Sequence, residues 1–284
     1  MGESATMPKS SPQTDLVYRT RLPVRLWHWT NALTIFIMLM TGMMIFNAHP
    51  RLYWGAFGAN LDHAWLEIGN RGPHGYLTLF GFEVPTTGVL GYAMHTEQAF
   101  PPLVTLPGQY NVPVARIWHF FFAWVLVIGW LAFALYSLFS RHLKNDLLLK
   151  WEEARPASLW RDIKAHARLH LPRGEAARHY NPLQKLAYLG VLLAGVPLMV
   201  LTGLTMSPAM DAAWPWLLVL FHGRQSARSI HFIVAAGLAL FIVVHLAMVL
   251  LAGPINELRS MITGWYRLPP DDAATQPVTT EEGA

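Results

Sequence analysis

Four of the thirteen histidines in this 284-residue chain, His28, His119, His231 and His245, fall inside or at the ends of long apolar runs. An imidazole in hydrocarbon is costly unless something binds it, so each is a functional candidate. His231 and His245 share the run 229–253, SIHFIVAAGLALFIVVHLAMVLLAG, which carries no other ionisable side chain. Fourteen residues of helix leave them roughly 40° short of four full turns and about 21 Å apart along the axis. They share nearly one face, one towards each end of a run long enough to cross a bilayer. That arrangement suits one axial ligand for each of two stacked haems.

The composition sets the solvent for this chemistry. Hydrophobic residues make up 53% of the chain and charged ones only 13%, against about 25% charged in soluble domains. With a positive mean hydropathy, the chain reads as an integral membrane protein. The net charge of +4 therefore matters for where the cations lie, not for nucleic acid. There is no cysteine, which excludes covalent Cys-x-x-Cys-His haem attachment, cysteine-held iron–sulfur clusters, disulfides and thiol catalysis within this chain.

The elements that must position the histidines are four apolar spans, expected near 25–47, 114–139, 183–206 and 229–252. Together they form an all-α four-helix membrane domain over 21–268, with disordered polar ends at 1–20 and 269–284. The first twenty residues lack a short apolar core with a small-residue cleavage site, so the first span is expected to act as an uncleaved signal. The 48–113 connection is rich in Gly, Pro and aromatics; such length and apolar content predict a role in capping the bundle or docking a partner. Within the basic 140–181 connection, LWRDIKAHARLHL has the spacing of an amphipathic surface helix. Sixteen of the 21 Lys and Arg lie in the N-terminal segment, the 140–185 stretch and the C-terminal tail; five lie in 48–116 and 207–228. The positive-inside rule then puts both termini in the cytoplasm and the 48–113 loop outside.

This topology pairs the histidines by depth. His28 and His245 fall at the inner level, His119 and His231 at the outer one. Gly42, fourteen residues after His28, reaches the outer level, either as room for a macrocycle or as a helix-packing residue. Three other readings of the histidines compete: interhelical hydrogen bonding, a proton relay, and zinc. The spans lack Asp and Glu, which a relay ordinarily uses, and ligands about 21 Å apart cannot share one zinc. A second candidate site is Tyr180–Lys185 at the inner start of the third span. Asn181, Gln184 and Lys185 could hydrogen-bond quinone carbonyls, or form only an N-cap with a snorkelling lysine.

The R-x-x-HW start of the first span, a histidine opening the second, the YNPLQK stretch and the H-x13-H of the fourth resemble the di-haem cytochrome b membrane subunits of bacterial respiratory complexes. That family includes the formate dehydrogenase gamma subunit, the b-type cytochrome of nickel–iron hydrogenase and thiosulfate reductase cytochrome b subunits. The resemblance implies two haem b groups, with His28/His245 holding the inner iron and His119/His231 the outer. It also implies a quinone site at Asn181 and Gln184, with Lys185 beside it. The implied function is electron transfer between an extracytoplasmic redox enzyme, one carrying molybdopterin or iron–sulfur centres, and the quinone pool of the bacterial cytoplasmic membrane. The alternatives are a stand-alone cytochrome oxidising a small species such as superoxide, and a haem-free membrane anchor or transporter.

Overall fold

A computed structural model describes residues 16–141, 143, 148–167 and 182–267. Four helices are long and apolar enough to cross a membrane: Leu22–Phe46, Val112–Phe139, Pro182–Thr205 and Arg224–Ala252. Their outer faces are apolar, with Leu33, Phe36, Ile117, Phe121, Trp124, Leu240 and Val243 all exposed, as lipid contact requires. The first span, α1 (Leu22–Phe46), packs chiefly against the second, α2 (Val112–Phe139). Asn111 caps α2, its side-chain oxygen accepting from the Val114 amide, which satisfies one of the orphan donors of a helix start.

The third span is not a regular helix. α4 (Pro182–Leu189) passes into a π-helical turn, Gly190–Gly195, before α5 (Val196–Thr205) resumes. Pro197 explains the wide turn, because it has no amide hydrogen to give the preceding turn. The Val196 amide bonds the Val191 carbonyl, which leaves the Leu192 carbonyl with no backbone donor from either residue. The Trp130 indole N–H on α2 fills that gap at 2.9 Å. α5 packs chiefly against the fourth span, α8 (Arg224–Ala252). Two short helices, α6 (Pro208–Ala213) and α7 (Trp216–Leu220), join them.

The bundle is all-α as expected, but the first long connection carries strands that periodicity did not foretell. β2 (Arg51–Leu52), β3 (Leu66–Arg71), β4 (His74–Leu79) and β5 (Phe82–Pro85) form an antiparallel sheet in the order β2-β3-β4-β5. The β4–β5 turn is Phe80-Gly81, both with positive φ, the twist a two-residue hairpin requires. Leu52, Leu66 and Ile68 from the sheet, Phe46 from α1 and Phe232 from α8 share one apolar cluster. Segment 49–55 is tied to the start of α8. Arg228 donates to the His49 and Arg51 carbonyls, Ser226 exchanges bonds with Gly55, and the Ser229 hydroxyl donates to Tyr53 O while accepting from Trp65 Nε1. Gly223, at φ +105°, turns into α8 so close to Ala56 that a Cβ would lie 2.5 Å from its Cα.

The opposite end is closed by the chain ends. Residues 16–18, expected within the disordered N-terminus, instead form β1 (Leu16–Tyr18), antiparallel to β6 (Trp265–Arg267). The residues are β-branched, aromatic or apolar, and the partner strand removes the cost of an unpaired edge. α9 (Pro254–Thr263) begins after the break at Gly253-Pro254 and folds back on α1. There Thr20 meets Ser260 at 3.0 Å, Arg19 pairs with Glu257, and Arg25 and Trp29 donate to the Ile262 and Met261 carbonyls. The rest of the two polar ends lies outside the described residues. α3 (Pro156–Ala167) covers the first part of the expected amphipathic helix.

Candidate haem and quinone sites

The bundle brings the four membrane histidines together as two pairs. At the end closed by β1, β6 and α9, the rings of His28 on α1 and His245 on α8 are 6.3 Å apart, centre to centre, inclined at 58°. At the end closed by the β2–β5 sheet, the rings of His119 on α2 and His231 on α8 are 6.4 Å apart at 57°. Two pairs from different helices thus repeat one geometry to within 0.1 Å and 1°. Trp29 stands edge-on to His28, and Phe241 stacks on His245.

The surroundings of the two pairs differ. His119 Nδ1 lies 3.0 Å from the Thr41 hydroxyl, and His231 Nδ1 lies 2.9 Å from the Thr202 hydroxyl. The next residue in each case is glycine: a Cβ on Gly42 would touch His119 Cε1 at 3.5 Å, and one on Gly203 would touch His231 Cε1 at 3.6 Å. The His119 and His231 rings are therefore each seated on a Thr-Gly step of a neighbouring span. Gly42 lies at the level of His119, against its ring. In the His28/His245 pair, His28 Nδ1 is buried without a hydrogen-bond partner among the described residues.

The pairs fit a haem iron. Metal–imidazole bonds run about 2.0–2.1 Å, and with about 1.1 Å from nitrogen to ring centre, two axial imidazoles have centres roughly 6.3 Å apart. Among the described residues, no three or more His, Cys, Asp or Glu side chains gather where they could hold a metal ion. A two-imidazole site suits a metal whose other ligands come with it, as a porphyrin supplies them. Arg25, Arg116 and Arg228 each stand three residues before a histidine of these pairs, one helical turn nearer the bundle's end. None bonds a carboxylate among the described residues. Arg25 and Arg228 donate to backbone carbonyls, and Arg116 lies over the Phe120 ring.

Of the quinone candidates, Asn181 lies outside the described residues, as does Tyr180. Gln184 is in the first turn of α4, and Lys185 is buried beside it. The Lys185 ammonium bonds both carboxylate oxygens of Glu153, at 3.0 and 2.9 Å. Burial alone would raise the Glu153 pKa, but the Lys150 amide and the Lys185 ammonium hold it below the ordinary carboxylate value. At the other end, burial and the Arg228 and Arg51 charges lower the pKa of His49, which favours a neutral ring among the cations joining sheet to α8.

Sequence reasoning reached the histidines and Gly42 but not Thr41, Thr202, Gly203 or Glu153. The readable trace was a Thr-Gly dipeptide in two apolar spans, MTG at 40–42 and LTG at 201–203.

Comparison with known proteins adds an independent line. The family described as prokaryotic cytochrome b561 matches residues 19–264. A putative protein-methionine-sulfoxide reductase subunit YedZ1 of Azospira oryzae is 28% identical over 245 residues, covering 85% of this chain and 93% of that protein. Probable Ni/Fe-hydrogenase B-type cytochrome subunits of Azotobacter vinelandii and Azotobacter chroococcum are 23% and 22% identical, covering 88% of each chain. No solved structure matches significantly. With four membrane-crossing helices and a family match spanning nearly the whole bundle, the chain belongs to the prokaryotic cytochrome b561 family, multi-pass membrane electron-transfer proteins that bind haem b.

Proposed function

We propose that the protein is a di-haem cytochrome b subunit linking an extracytoplasmic redox enzyme to the quinone pool of the bacterial cytoplasmic membrane. The carrying observation is the pair of equivalent His–His separations, 6.3 and 6.4 Å, at opposite ends of one bundle. Haem b, when bound, supplies a reversible one-electron carrier. His28 and His245 would hold the inner group, His119 and His231 the outer. Arg25, Arg116 and Arg228 supply cations at the bundle ends for haem carboxylates, and Gly42 and Gly203 keep the outer ligand rings clear of side chains.

The quinone site is assigned to the inner start of the third span. Gln184 and Asn181 would hydrogen-bond the quinone carbonyls, while the buried Lys185 next to Gln184 forms a charged pair with the partly exposed Glu153. The positive-inside distribution orients His28/His245 towards the cytoplasm. The β2–β5 sheet then faces outwards with the 207–228 connection, and these two offer the docking surface. A redox-enzyme partner is supported by the relatives, which are named as subunits of a methionine-sulfoxide reductase and of hydrogenases. With both termini cytoplasmic, residues 21–268 form the membrane domain between two polar ends.

The test is optical. The purified protein should show a reduced b-type α-band and two haems per chain, and His28→Ala and His119→Ala should each remove a different haem. A colourless protein, or loss of the same haem in both variants, would overturn the assignment. Gln184→Ala or Asn181→Ala should slow haem–quinone exchange with both haems retained; unchanged exchange would return these residues to helix capping.

A further inference from the structure

The outer histidines are fixed by their threonines in a way that proton counting makes explicit. A hydroxyl has one hydrogen and two lone pairs. Thr41 Oγ1 lies 2.8 Å from the Ile37 carbonyl and 3.0 Å from His119 Nδ1. A carbonyl oxygen carries no hydrogen, so at 2.8 Å the proton between the two oxygens must be the threonine's. Thr41 then has only a lone pair for His119, and Nδ1 must be the donor. Thr202 repeats the arrangement, 2.6 Å from the Leu198 carbonyl and 2.9 Å from His231 Nδ1. In a neutral imidazole with the hydrogen on Nδ1, the free lone pair is on Nε2. Both outer rings are thus set in one tautomer before any ligand arrives. The inner pair lacks this device among the described residues: no side chain meets His28 Nδ1.

We propose that Thr41 and Thr202 are positioning residues that lock His119 and His231 with Nδ1 protonated and Nε2 presented to iron, making the outer haem site preorganised and the inner one not. This rests on the di-haem reading above. A donated Nδ1–H bond raises the basicity of Nε2 and fixes the ring's orientation. The more basic ligand favours ferric over ferrous iron, so the threonines lower the outer haem's potential and tighten its binding. The hydroxyl, not the bulk of the side chain, carries the effect. A helix needs none of these contacts to form, since Thr is an indifferent helix residue.

The experiment compares Thr41→Val, Thr202→Val and the corresponding Ser variants in the full chain, with His119→Ala marking which optical and paramagnetic signals belong to the outer haem. Each Val variant keeps the branched shape and removes the hydroxyl acceptor, leaving only the Met38 or Met199 carbonyl near the ring. The expected result is an upward shift of the outer midpoint potential, a changed low-spin ferric signal from that haem only, and outer-haem affinity lower by about 10-fold or more. Thr→Ser should restore all three. Two retained haems with an unmoved outer signal, equal shifts of both haems, or failure of Ser to rescue would each overturn the proposal. If one Val variant does not fold, the other reads the same haem from its second ligand, and Thr41→Ala removes the hydroxyl with less bulk. Failure of the underlying reading is distinct: there, His119→Ala would leave the haem content unchanged.

Discussion

Replacing Trp130 by Phe should destabilise the bundle through a carbonyl sixty-two positions away in sequence. The Trp130 indole N–H reaches the Leu192 carbonyl at 2.9 Å. A regular helix would satisfy that carbonyl from Val196, but the Val196 amide is committed to Val191. The π-register donor would be residue 197, a proline without an amide hydrogen. No backbone substitute is therefore at hand. Interhelical hydrogen bonds in membranes average only about 0.6 kcal/mol, reaching about 1.7, because the unfolded reference finds other partners. Stranding a polar group costs about 1–3 kcal/mol, and the described backbone offers this carbonyl no alternative donor, so we expect about 1–2 kcal/mol. Part of any measured loss will come from swapping indole for a smaller ring. A double-mutant cycle with Pro197→Ala cancels that part: alanine restores an amide in the turn, and the cost of Trp130→Phe should fall by about 0.5–1 kcal/mol in that background. The assay is equilibrium unfolding in mixed micelles followed by helical circular dichroism. A cost below about 0.3 kcal/mol, or the same cost with and without Pro197, would refute the account of the wide turn.

Three further outcomes follow from the contacts described. Gly203→Leu should fill the space beside His231 and remove the outer haem while sparing the inner; an unchanged haem content would deny Gly203 its part. Ser229→Ala should strand both the Trp65 indole N–H and the Tyr53 carbonyl, costing roughly 2 kcal/mol in thermal unfolding; a change within scatter would mean water replaces the hydroxyl. The Glu153 pKa is depressed in the fold, so its bond to Lys185 contributes fully above the ordinary carboxylate range, and that contribution is lost as pH falls through the folded value. Acidification should therefore expose the 148–155 segment to hydrogen exchange. Glu153→Gln should abolish the pH dependence, and a response unaltered in this variant would place its origin elsewhere.

The four histidines were legible because hydrocarbon makes any imidazole conspicuous, and a fourteen-residue spacing fixes both its face and its height. Their pairing followed from counting spans and cations. The threonines were not legible for the opposite reason. Thr satisfies its hydroxyl on its own helix's carbonyl, so Thr41 and Thr202 sit in apolar runs without strain and look like neutral fillers. Only the helix neighbours, α1 with α2 and α5 with α8, reveal what they touch. The β2–β5 sheet escaped because strands of two to six residues interrupted by Gly and Pro carry little periodicity. Glu153 escaped because Lys185 is thirty-two residues away, and no local rule connects a connection's acid to a span's buried cation. β1 was hidden by its partner, since three residues pair only once β6 returns to them from the far end of the chain.

The wide turn at Gly190–Gly195 also sets a phase. A π turn takes up one residue more than an α turn, so all that follows is rotated by about 100° relative to an uninterrupted helix. Gln184 and Lys185 lie before this offset; Thr202 and Gly203 lie after it, facing His231. Straightening the span with every residue kept would swing Thr202 away from the imidazole, whereas deleting one residue between 190 and 195 would remove the wide turn and leave Thr202 in place. Residue count and hydrogen-bond register in that stretch together decide which side chains the third span can present at its two ends.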